Sequence, residues 1–154
     1  MTVQRPVGAL PPETLAAIRI VFFQECEAHL AQLATGLCAL QAGDRDPEMI
    51  NAAYRAAHSI KGGAGIFGLD ALVHISGRLE AALGEVRAGR LEPSSDILSL
   101  LSRAAQALAD LVQAGREERD LADNRTAPLL EELAALTPAR AEPTQLEAVL
   151  GPLT

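Results

Sequence analysis

The sequence predicts an all-α fold, an up-and-down antiparallel four-helix bundle with a shorter fifth helix at the C-terminal end. Three observations predict it. Hydrophobic residues make up 49% of the 154 positions but aromatic ones only 3%, so the core is built mainly from Ala and Leu, which favour helix over strand. Apolar positions recur in steps of three and four and nowhere alternate as a strand requires. The breaks between these stretches are short and carry Gly, Pro, Asp or Ser, as joints between antiparallel neighbours do.

The elements follow in order. Pro6, Gly8, Pro11 and Pro12 mark residues 1–12 as a flexible lead. The first helix is expected from Glu13 to Ala42, its stripe being Leu15, Ile18, Phe22, Cys26, Leu30, Leu33, Leu37 and Leu40, with Gly43 ending it. Asp46 caps the second helix, with Pro47 at the first helical position and Glu48 at the positive end of the dipole. That helix is expected to reach Gly65. Gly68 makes a tight joint and Asp70 is the expected N-cap of a third helix reaching Ala88, with a core stripe of Leu72, Ile75, Leu79, Ala82 and Val86. Ala88 to Pro93 is a stop and a turn. Ser94 or Ser95 opens a fourth helix over Asp96 to Val112, facing the core with Ile97, Leu100, Leu101, Leu108 and Leu111. A fifth is expected from Thr126 to Leu136. The domain therefore spans residues 13–136, and 137–154 read as a linker or tail.

Thirteen basic against 20 acidic residues leave a net charge of −7, which argues against nucleic acid as a partner, because phosphate backbones need a concentrated basic footprint. No apolar run approaches the ~18 residues of a membrane span, and no secretion signal is visible at the N-terminus. Cys26 and Cys38 fall on one helix with ~18 Å of rise between them, too far to bridge, and read as free thiols in a reducing, cytoplasmic compartment.

One stretch is unusual. His58-Ser59-Ile60-Lys61-Gly62-Gly63-Ala64-Gly65 lies in a strongly signalled helix yet carries three glycines, each costing ~1 kcal/mol against Ala. Helical side chains lean toward the N-terminus, so a side chain at position 62 would shade His58, and glycine there leaves the imidazole open. Gly65 extends the cleared strip by a turn, and Lys61 leans back toward His58. An exposed imidazole with a cation beside it and open access is a suitable nucleophile for a phosphoryl group, whose transfer needs positioning and countercharge. A hydrogen bond at the other ring nitrogen would fix tautomer and orientation. Glu80 qualifies, standing on a strip of the third helix, Val73, Gly77, Glu80, Gly84, whose glycines allow close approach. A lone helical His is more often a surface or core residue, and glycines often serve only helix crossing. His29 and His74 lack a comparable setting and read as structural or surface residues. The three histidines form no metal constellation, and no phosphate-binding loop follows a strand, so no metal and no nucleotide site is expected.

The segment from Ile50 to Leu69, Ile-Asn-Ala-Ala-Tyr-Arg-Ala-Ala-His-Ser-Ile-Lys-Gly-Gly-Ala-Gly-Ile-Phe-Gly-Leu, resembles the phosphorylation-site segment of the N-terminal histidine phosphotransfer (HPt) domain of CheA-type chemotaxis kinases. Phe22 to Leu30 on the first helix resembles the same family. The resemblance implies that His58 accepts phosphoryl from ATP, held with Mg²⁺ on a separate catalytic domain acting in cis or trans, and passes it to an aspartate of a response regulator of the CheY/CheB type. It implies that Glu80 hydrogen-bonds the imidazole, that Lys61 assists phosphorylation, and that the domain itself binds no cofactor and is not an enzyme alone. Many members carry a second histidine where this chain has Gly77. The regulator is expected to dock over the second helix with the first as the other wall, and Ile20 and Phe23, off the main stripe, are candidate apolar contacts. A non-phosphorylated helical module that binds regulators is the alternative function, and phosphatase action toward a bound regulator a third.

Overall fold

The computed structural model describes residues 10–119 and 126–137, and among these it contains five helices and no strand. They are α1 (Pro12–Gln41), α2 (Pro47–Ile66), α3 (Asp70–Arg87), α4 (Ser95–Arg116) and α5 (Ala127–Ala135). The expected lead and tail lie outside the described residues, apart from positions 10–12 and 137.

Local chemistry sets most boundaries. The Asp46 carboxylate accepts from Glu48 N at 3.0 Å, and Pro47 follows at the first helical position, where its missing N–H costs nothing. Ser94 Oγ accepts from Ile97 N at 3.3 Å, which makes Ser94 rather than Ser95 the cap of α4. Gly43 leaves α1 with φ +90° and Gly68 turns the α2–α3 joint with φ +65°, conformations a side chain resists. Two expectations are corrected. Asp70 is the first residue of α3, not its cap; Leu69 holds the cap position without a side-chain bond, and Asp70 acts through its charge at the positive end of the helix. The fourth helix runs a turn beyond Val112, to Arg116, because Ala114 is buried and Arg116 reaches across to α1.

Cross-helix contacts fix the topology. On the α2–α3 seam Asn51 meets Arg87, Tyr54 meets Gly84, His58 meets Glu80 and Lys61 meets Gly77, a constant antiparallel register. Gly36 lies against Ala53 and Gly63 against Phe22, so α1 and α2 are antiparallel. Gln41 bonds Ser102 while Arg116 bonds Glu27 and the Phe23 carbonyl, so α1 and α4 are antiparallel too. The four long helices close a ring, α1–α2–α3–α4–α1, and α5 lies across α3 and α4.

The core holds Leu33, Leu40, Ile60, Ile75, Leu79, Leu83, Leu101 and Leu108 essentially without exposure, each contributing about 1.5–3 kcal/mol of burial. The aliphatic, alanine-rich interior agrees with the composition. The stripe of α1 holds from Phe22 to Leu40, whereas Ile18, at 40% exposure, lies on the surface. Phe23 is a correction. It is 4% exposed, edge-on to Phe22, under the Arg19 guanidinium and against Gly115 of α4, so it is core and offers no surface to a partner. No helix among the described residues is long and apolar enough to cross a membrane.

Candidate functional site

The site is built on the middle of the α2–α3 seam. Glu80 stands on α3 between Gly77 and Gly84, one turn to either side. A Cβ at Gly84 would meet the Tyr54 ring at 3.4 Å, and one at Gly77 would meet the Lys61 stem at 3.5 Å. These two α2 side chains therefore lie directly on the α3 backbone, and the Arg87 guanidinium covers the Tyr54 ring at 3.9 Å, closing the seam below the site. The small-residue strip read from the sequence thus lies at the helix contact.

That contact brings His58, Lys61 and Glu80 together. Glu80 Oε2 is 3.2 Å from His58 Nδ1 and 3.5 Å from Lys61 Nζ. Neither approach has hydrogen-bond alignment, so Oε2 is a buried oxygen between two nitrogens, held by charge and lacking an aligned donor. A small turn of the imidazole about its own axis would direct Nδ1–H at it. The carboxylate side chain is 15% exposed, whereas the imidazole is 65% exposed. With Nδ1 turned toward Glu80, Nε2 occupies the opposite side of the ring, away from the carboxylate. The seam thus sets a carboxylate beside one nitrogen and leaves the ring free for chemistry at the other.

The three glycines after His58 divide into two kinds. A Cβ at Gly62 or Gly65 would meet nothing within 4 Å, and both positions are exposed. They leave open space on the surface that carries His58. Gly63 is different: a Cβ there would stand 2.5 Å from the Phe22 ring, so it serves the packing of α1 on α2. Ile20 is 60% exposed, but the Phe22–Gly63 contact puts it near the level of Ile66, about 12 Å along the bundle from His58. Ile18, Val21 and Ile66 are exposed at the same end, but Ile20 lies about 160° around α1 from Phe22, whose ring faces Gly63 of α2, so Ile20 points away from α2.

No group of three or more His, Cys, Asp or Glu capable of holding a metal occurs among the described residues. His29 is half-buried on α1 and is not drawn into the site. His74 is exposed and lines a cleft behind Lys61 together with Arg78, a residue the sequence did not single out. The signal was present, since His74 and Arg78 are four apart on one face of α3, but only the tertiary fold brings Lys61 to that face.

Comparison with known proteins agrees with the geometry. The Hpt domain family model matches residues 17–142. The chain is 49% identical over 137 residues to the chemotaxis protein CheA of Rhizobium meliloti (strain 1021), covering 89% of this chain and 18% of that protein. It is 42% identical over 120 residues to CheA of Cereibacter sphaeroides, covering 76% of this chain and again 18% of that protein. The chain thus spans less than a fifth of the length of these curated relatives. In fold it is similar to the phosphorylated P1 domain of CheA3, solved in complex with CheY6 from R. sphaeroides, with a TM-score of 0.69 and 23% identity, covering 77% of this chain and 94% of that one. An open imidazole backed by a buried carboxylate on such a bundle, matched over most of its length by one family, identifies the chain as a member of the Hpt domain family.

Proposed function

We propose that this chain is the phosphoryl-carrier domain of a CheA-type two-component kinase. The observation that carries the reading is the position of Glu80 Oε2, 3.2 Å from Nδ1 of an imidazole that is otherwise 65% exposed. In the Nδ1–H tautomer, the Nε2 lone pair attacks the terminal phosphorus of ATP presented by a separate kinase domain. The N–P bond forms, the bond from phosphorus to the bridging oxygen breaks, and ADP leaves with that electron pair. The ring then carries positive charge, which the Glu80 carboxylate balances through Nδ1–H. Lys61 supplies countercharge to the phosphoryl oxygens at the rim, worth about 1 kcal/mol where water reaches it. In the second step a carboxylate oxygen of a regulator aspartate attacks phosphorus and the N–P electron pair returns to Nε2.

The partners on this reading are the CheA catalytic domain, in cis or trans, and response regulators of the CheY/CheB type, with no nucleic acid and no membrane involved. ATP and Mg²⁺ belong to the kinase domain; this domain binds no cofactor and is a substrate rather than an enzyme. Its compartment is the cytoplasm. Ile18, Val21 and Ile66 are the apolar part of the regulator-facing surface, at one side of His58.

Incubation with a CheA catalytic core, ATP and Mg²⁺ tests the proposal. Acid-labile, base-stable phosphate is expected on the chain and is lost in His58→Gln. Labelling that persists in His58→Gln overturns the site. An unlabelled chain that still binds a regulator would be the interaction module instead.

A further inference from the structure

Behind Lys61, away from the His58 ring, Lys61, Val73, His74, Gly77, Arg78 and Leu130 line a cleft of about 300 Å³ between α2, α3 and α5. Its polar lining is made of a lysine, an arginine and a histidine, and among the described residues no carboxylate lines it, in a protein whose net charge is −7. Among the described residues no acidic side chain pairs with Arg78 or His74, while Lys61 is paired with Glu80 at 3.5 Å. A guanidinium without a counter-ion beside a lysine is stabilised by an anion placed between them. Gly77 forms part of the cleft wall, where a Cβ would make ordinary contact with the Lys61 stem at 3.5 Å.

We propose that this cleft is a phosphate-binding site separate from His58. Arg78 offers a planar fork of donors and Lys61 a point charge from another helix, so donors reach the ligand from different directions. That arrangement suits a tetrahedral oxyanion with three or four oxygens better than a flat carboxylate. Val73 and Leu130 form the apolar wall. The phosphate comes either from solution or from the polyphosphate tail of a nucleotide. Lys61 faces both sites, so an anion in the cleft competes with Glu80 for its ammonium.

The test follows the His74 ring and Arg78 guanidinium resonances of the isotope-labelled chain during titration with inorganic phosphate and, separately, with ATP, no kinase domain being present. Saturable shifts at both residues are expected, weakened about tenfold or more by Arg78→Gln and less by Arg78→Lys. His58→Gln is expected to bind as the native chain does, which separates this site from the phosphoacceptor whatever that residue does. Saturation by ATP at a tenfold lower concentration than by phosphate marks the nucleotide tail as the source, and the reverse marks free phosphate. Absence of saturable shifts with both anions overturns the proposal. So does an affinity untouched by Arg78→Gln in a folded variant, or binding that His58→Gln abolishes. Saturation by a glutamate-rich peptide alone would make the cleft a protein contact and overturn it equally.

Discussion

On the proposed function, Glu80, nearly buried beside an exposed ring, balances the charge that His58 acquires. Gln keeps its shape and removes its charge, leaving the imidazolium of the phosphorylated state without a counter-ion. A hydrogen bond to a charged group is worth about 1.5–3 kcal/mol, so Glu80→Gln is expected to slow phosphorylation of His58 by roughly ten- to a hundredfold. The rate of label incorporation at saturating kinase measures it, and an unchanged rate would remove Glu80 from the mechanism. Cys26 carries a second prediction at this scale. Burial pushes its thiol up from 9.0 to about 12, the Arg116 guanidinium only partly opposing this. A thiol raised on folding contributes stability that is complete below pH 9 and is lost as the pH climbs toward 12, because the unfolded chain ionises first. At pH 8 an exposed-thiol reagent should titrate one cysteine per native chain, Cys38, and two in denaturant. Native titration of both thiols would contradict the burial of Cys26.

Within α2 the adjacent residues Gly62 and Gly63 are opposed in consequence. At Gly62 an added methyl meets nothing, so Gly62→Ala should gain up to about 1 kcal/mol from helix propensity. At Gly63 the methyl would strike the Phe22 ring, and overpacking of this sort costs about 1–3 kcal/mol, exceeding the same propensity gain. Urea unfolding of the two variants should therefore move the midpoint in opposite directions, and a shared direction would show that α1 does not pack on α2 through Phe22. The pair also marks what sequence alone can show. His58, Lys61 and the open glycines are related by the i, i+3 and i+4 geometry of one helix, so their arrangement was legible. The caps Asp46 and Ser94 were legible because capping is local. The role of Gly63 depends on a ring forty-one positions earlier, and no helical period reveals it. Phe23 was misplaced for a related reason: a single stripe describes a helix buried on one side, but α1 lies between α2 and α4 and buries a wider face. Glu80 was reachable because the glycine strip on α3 signalled the close seam.

Across the molecule, the chemistry and the exposed apolar surface are set apart. His58 stands midway along the α2–α3 seam, while Ile18, Ile20, Val21 and Ile66 gather at the end of the bundle formed by the start of α1 and the finish of α2. These side chains are between 40% and 60% exposed, among an otherwise polar exterior of net negative charge. A regulator reaching His58 from the α1–α2 side would cover Ile18, Val21 and Ile66, and burial of one such side chain contributes about 1.5–3 kcal/mol. Val21→Asp should therefore weaken binding of a response regulator by roughly ten- to a hundredfold, read as Kd by titration calorimetry on the unphosphorylated chain. Because Val21 is 49% exposed, the variant should keep the native urea midpoint, which separates a lost contact from a lost fold. Gln41→Asp, on the opposite end of α1 beside Ser102, adds the same charge away from the patch and should leave Kd within about twofold. Equal weakening by both substitutions would mean that charge repulsion, not apolar contact, governs docking, and an unaffected Kd in Val21→Asp would place the regulator on another face of the bundle.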